Sequence, residues 1–148
     1  PARTPAAAPT AAAGGTLFQI DPTAAPGSSA AYNLVYSFQG QDHGDGAGPY
    51  GSLMFDGTYL YGTTSGGGKH GMGTVFRVAP VAMGGTATPT VLQHFGSSSN
   101  DGQKPIDNVI RVGNTLYGMT VYGGASGKSP DSSSYTGNGA IFAIPLPD

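Results

Sequence analysis

A chain of 148 residues suffices for one domain, or for two small repeats sharing a core. Charged residues are only 9%, the net charge is −2 and the six basic residues are scattered, which excludes a nucleic-acid or anionic-membrane footprint. Cysteine is absent, so disulfides and thiolate metal sites are excluded, and no apolar run is long enough for a membrane-spanning helix.

Gly 26 and Pro 12 argue for tight turns rather than long helices. Every acidic residue is Asp, which suits turns, and none is Glu, which suits helices. No secretory leader stands at the start, so the chain is read as a mature form from which one has been removed. A surface so poor in charge is read in two ways: solubility through Ser, Thr and Gly, or surface turned toward other subunits and attached sugars.

Residues 1–14 form an Ala/Pro-rich extended arm with no large apolar side chain. Small side chains in an extended segment fit a narrow groove or sheet edge, so Pro5 and Pro9 are expected to contact a neighbouring subunit. Thr4 and Thr10, beside Pro and Ala, fit an O-glycosylation context. From residue 15 to 148 a single β domain is expected. Thr16–Ile20 is its first strand, followed by 33–38, 52–55, 59–64, 74–78, 90–95, 108–112, 115–121 and 140–144. Asp56-Gly57 and Gly113-Asn114 are the hairpin turns.

These nine strands repeat. Leu60-Tyr61-Gly62 returns as Leu116-Tyr117-Gly118, Asp45-Gly46 as Asp101-Gly102, Pro49 as Pro105, each 56 positions on. Gly73–Phe76 returns as Gly139–Phe142, delayed by an insertion in 125–136. Two four-stranded antiparallel repeats, about 33–79 and 90–146, each have the size of a propeller blade, packed as blades or as a sandwich. Strand 16–20 has the GTLF pattern of a final strand without the three before it, so it is expected to be left over. With the arm it is expected to dock on a neighbouring copy through Thr16, Leu17, Phe18 and Ile20.

The chemistry-bearing residues are few. Asp42, His43 and Asp45 sit at a spacing loosely like a calcium loop, but the recurrence of Asp45-Gly46 without His43 favours a turn in which Asp caps loop amides. His70 is read as an exposed loop residue and His94 as outward-facing. The serines of 97–99 and 132–134 lie in flexible runs with no elbow motif. The pairs Asp42/Asp45 and Asp101/Asp107 have no apolar pocket around them. Glycines 66–68 precede no helix and so make no phosphate loop. Tyr61 and Tyr117 are assigned to the core, and Tyr50, Tyr122 and Tyr135 to exposed ligand contacts.

The pattern Ser37-Phe38, Asp45-Gly46, Pro49-Tyr50-Gly51, Leu53, then 60–68 and 73–76, resembles the glycine-rich GloVer-type tandem repeat of secreted bacterial proteins. The second copy departs from it at Met119, where Thr63 stands, and at Ile106, where Tyr50 stands. The resemblance implies a secreted or surface β-repeat protein and no catalytic residues.

Two blades cannot close a ring of four to eight. The reading is therefore a non-enzymatic, extracellular or cell-surface protein that needs no cofactor and whose partner is itself, as a filament or other homopolymer. The alternatives are a carbohydrate-binding, propeller-like module in a closed oligomer, and a calcium-stabilised adhesin fragment.

Overall fold

The computed structural model describes residues 14–98, 100–125 and 137–147, the side chain of Asp42 apart. The expectations for the arm with Thr4, Pro5, Pro9 and Thr10, for the insertion with Tyr135, and for Asp42 as a ligand lie outside the described residues.

The strands in chain order are β1 (Thr16–Ile20), β2 (Tyr32–Ser37), β3 (Gly46–Ala47), β4 (Met54–Phe55), β5 (Leu60–Thr64), β6 (Gly66–Gly67), β7 (Thr74–Val78), β8 (Thr90–His94), β9 (Gly102–Gln103), β10 (Ile110–Val112), β11 (Thr115–Thr120), β12 (Tyr122–Gly123) and β13 (Ala140–Pro145). Two short 3-10 turns, Ser29–Ala31 and Gln41–His43, interrupt the loops, and there is no α-helix among the described residues. The all-β expectation holds. At the first hairpin Asp56 Oδ1 accepts from the amides of Thr58 and Tyr59, each at 2.8 Å, while Gly57 takes φ 97°, a conformation an L side chain resists.

The larger sheets do not follow the boundaries of the sequence repeat. β4-β5-β7-β8 form a four-stranded antiparallel sheet, β10-β11-β13 a three-stranded one and β1-β2 a two-stranded one. Strand 16–20 is therefore not left over: it pairs with β2 from Thr16↔Ser37 to Ile20↔Tyr32. Likewise Thr90–His94, assigned by sequence to the second copy, completes the sheet of the first by pairing with β7. The reason is local. The chain leaving β7 turns back along the edge it has just made, the cheapest closure for an antiparallel pair. Each sequence repeat thus opens with a strand given to the preceding sheet.

Two apolar cores lie between the sheets. Leu17, Val35, Phe38, Phe76 and Val78 are buried between the two-stranded and central sheets. Tyr61, Val75, Phe95, Val109, Leu116 and Leu146 are buried between the central and C-terminal sheets, with Phe142 and Ile144 against them. Tilted ring pairs mark both, Phe38–Phe76 at 5.3 Å and Phe95–Phe142 at 5.0 Å between centroids. Fully burying one such side chain is worth about 1.5–3 kcal/mol. Tyr117, assigned to the core with Tyr61, is instead partly exposed; it faces outward from the last sheet, where no further described sheet covers it.

Candidate functional site

The glycine run 66–68 builds a corner at the end of the sheet. Gly66-Gly67 pairs with Gly46-Ala47 across the sheet end, and Tyr122-Gly123 pairs with Gly102-Gln103 in the same way. The pairing needs glycine because a Cβ on Gly46 would run into the Thr64 side chain, and one on Gly102 would sit 2.7 Å from Thr120 Cγ2. Thr64 and Thr120 secure the corner by donating to Gly66 O at 2.9 Å and Tyr122 O at 2.8 Å.

The aspartate of each corner is consumed by it. Buried Asp45 accepts from Tyr36 Oη, Gln39 N and Gly46 N, each at 2.8 Å. Burial, then this carboxylate, pushes the Tyr36 phenol up to about 12. Asp101 accepts from Gly96 N at 2.9 Å, from Ser97 N and Oγ at 3.1 Å, and from Gly102 N at 2.8 Å. A carboxylate that accepts two or more amides of its own loop has the geometry of a cap. Among the described residues no three His, Cys, Asp or Glu stand together as metal ligands.

A second polar cluster ties the central and C-terminal sheets together. Asp56 Oδ2 accepts from Tyr61 Oη at 2.9 Å and pairs with Arg111, whose Nε donates to Gly113 O at 2.9 Å. The Tyr59 amide first, with further donors from Thr58, Tyr61 and Arg111, holds the Asp56 carboxyl well below the usual range, at about 2. Arg77 stacks over the Tyr59 ring at 4.6 Å. These contacts are an inter-sheet clamp, with a carboxylate already saturated.

The candidate residues at the ends of the molecule are of a different kind. Inside the chain, the central sheet is covered by the segment that enters the C-terminal sheet. Pro105 Cδ lies 2.7 Å from where a Gly73 Cβ would be, Thr63 Oγ1 donates to Asp107 O at 2.7 Å, and Val109 packs on Tyr61 and Val75. The same relation holds one step earlier, where Pro49 Cδ would meet a Gly15 Cβ at 2.6 Å. It does not hold a third time among the described residues. Ile141, the counterpart of fully buried Val75, is 79% exposed, and Met119, the counterpart of Thr63 at 2%, is 59% exposed. At the opposite end Phe18, the counterpart of Phe76 at 2%, is 54% exposed, and Ile20 and Tyr32 are exposed beside it. Phe18 and Tyr32 stack on each other at 5.9 Å.

The four strand residues expected to make a subunit contact therefore divide. Leu17 belongs to the core; Phe18 and Ile20 form an exposed apolar patch, with Thr16 exposed at the strand's start. Tyr50 is exposed and Tyr122 half-buried in its corner pairing. His94, expected to face outward, instead turns its Nδ1 to the glycine loop, accepting from Lys69 N at 3.2 Å. Burial, then the charges of Lys69 and His70, lowers its pKa. Sequence reasoning missed Ile110, Met119 and Ile141 as an exposed set. Their signal was available: apolar residues stand at positions whose alternation turns them away from the preceding repeat.

The family model described as the Gloeobacter/Verrucomicrobia repeat matches residues 6–147. The chain belongs to that repeat family. Comparisons with the curated proteins and with the solved structures find no match.

Proposed function

We propose that this member of the repeat family is a non-enzymatic structural protein, secreted or displayed at the cell surface, whose copies join head to tail into a homopolymer. The observation that carries the reading is the matched pair of bare ends. The face formed by Ile110, Tyr117, Met119 and Ile141 and the face formed by Phe18, Ile20 and Tyr32 correspond to the two sides of the contacts that the chain buries between its own sheets. A repeat whose outer face meets solvent ordinarily carries polar side chains there. Here the outer position is more apolar than its buried counterpart, Met119 replacing Thr63 and Ile141 replacing Val75. Two different faces make a heterologous contact, which gives a ring if the rotation closes and a filament if it does not. The sheets then act as successive blades, continued from one copy to the next. Low charge and a composition rich in Ser, Thr and Gly suit the extracellular setting.

Sedimentation velocity on the wild-type chain and on the variants Ile141→Asp and Phe18→Asp tests this reading. The wild type is expected to run as multimers and each variant as a monomer. A monomeric wild type overturns it, as does a variant that assembles unchanged.

A carbohydrate-binding role is the second reading, favoured by Tyr50, which is 76% exposed and would recur once per copy around a ring. Loss of glycan binding in Tyr50→Ala, measured by calorimetry against an oligosaccharide panel, checks it.

A further inference from the structure

We propose that the free edge of β13 is the acceptor for the N-terminal arm of a second copy, which adds to it as an antiparallel strand. The proposal rests on the head-to-tail reading and names its donor and acceptor.

The acceptor is defined by repetition. β1, β7 and β13 are the same strand in three successive sheets. β1 has β2 along its outer edge, with a register shift between Leu17 and Phe18. β7 has β8 along the same edge, with the shift at the matching place, between Val75 and Phe76. Among the described residues β13 pairs only with β11, so the edge that both counterparts fill is open over six residues. The glycine ahead of each strand repeats the pattern. Gly15 O accepts from Phe38 N at 2.9 Å and Gly73 O from Phe95 N at 3.0 Å, whereas Gly139 O has no such donor among the described residues. An open edge of unpaired amides and carbonyls flanked by exposed Ile141 is a template for strand addition.

The donor is indicated by the arm's proline spacing. Pro1, Pro5 and Pro9 are all odd-numbered. Along an extended strand, successive N–H groups point to opposite edges, so all three prolines fall on one edge. Ala2, Thr4, Ala6, Ala8 and Thr10 keep their N–H groups on the other edge, the arrangement an outermost strand requires. The small side chains leave the neighbouring faces room to close. The arm also runs through Gly14 and Gly15 directly into β1. Seating it on one copy's β13 therefore delivers the donor's Phe18 and Ile20 toward the acceptor's Met119 and Ile141.

The test is competition by synthetic peptides of residues 1–13 against the full-length chain, read as multimer mass by light scattering. The unmodified peptide is expected to cap β13 and shorten the multimers. N-methylation at Ala6 and Ala8 removes ladder donors and is expected to weaken this at least about tenfold, on the order of 1.4 kcal/mol. N-methylation at Ala7 and Ala11, on the outer edge, is expected to keep the effect within about twofold. Peptides that act alike regardless of position, or multimers indifferent to all of them, overturn the edge assignment while leaving end-face assembly standing. If the chain forms no multimers, the head-to-tail reading fails. Peptide binding to the monomer by fluorescence anisotropy, with or without the same alternation, then decides the edge assignment alone.

Discussion

The central and C-terminal sheets are built from the same sequence positions and meet different fates. β5 and β7 bury Tyr61, Thr63 and Val75, while β11 and β13 expose Tyr117, Met119 and Ile141. The backbone does not distinguish them: the glycine corners, the capping aspartates and the Phe-over-Gly contacts recur in both. What differs is whether a following unit lies on top. Strand position sets which way a side chain points; the neighbour sets whether it is buried.

Core truncation gives the largest effect on that comparison. Phe95→Ala is expected to destabilise by about 3–5 kcal/mol, because its ring fills the core between the two sheets. Ile141→Ala, at an exposed position, is expected to lie within about 0.5 kcal/mol of the parent. Urea denaturation in the Phe18→Asp background, which separates folding from assembly, measures both. Equal losses would mean the last sheet is covered within the chain.

The two corners allow a finer comparison. Asp45→Ala leaves Tyr36 Oη and two amides without their acceptor in a buried site, an expected loss of about 3 kcal/mol. Asp101→Ala is expected to lose roughly half as much, since its Ser97 partners are exposed and water replaces the carboxylate. The same denaturation assay ranks them, and a larger loss at Asp101 would reverse the assignment of the tighter corner.

Gly62→Ala and Gly118→Ala ask whether the shared backbone is as equivalent as it looks. A Cβ at Gly62 would lie 2.6 Å from the Phe76 ring, and one at Gly118 would meet the Phe142 ring. Overpacking of this kind costs about 1–3 kcal/mol, and the two losses are expected to match. A smaller loss at Gly118 would show that the last sheet relaxes because nothing encloses it.

The smallest effect is expected in acid. Asp56 has a folded pKa of about 2, below the unfolded value of about 3.9. A depressed carboxyl contributes stability that is present above the unfolded value and lost as pH falls toward the folded one. Melting temperature should therefore drop between about pH 4 and about pH 2, and Asp56→Asn should flatten that drop. An unchanged slope would remove Asp56 from the inter-sheet clamp.

Much of this architecture was legible in the sequence. Asp56-Gly57 marks the hairpin that joins Met54–Phe55 to Leu60–Thr64, and the β-branched and aromatic run of Thr74–Val78 marks the next long strand. The repeat offsets locate both copies. The sheet boundaries were not legible, because a repeating sequence looks the same wherever its unit is taken to begin. Only pairing shows that Thr90–His94 belongs with β7. The corner pairings of Gly46 with Gly67 and of Gly102 with Gly123 were invisible for another reason: glycine has no side chain to alternate, so the strand signal vanishes. Tyr117 was misplaced because a repeated residue type fixes a direction, not a neighbour.

Head-to-tail joining through two unlike faces is tested most directly by mixing the two blocked variants. Ile141→Asp retains an intact Phe18 end, and Phe18→Asp retains an intact Ile141 end. Sedimentation velocity of each alone should give monomer, and of the equimolar mixture a species of two copies, one of each variant. A mixture that stays monomeric, or either variant assembling alone, would contradict the account.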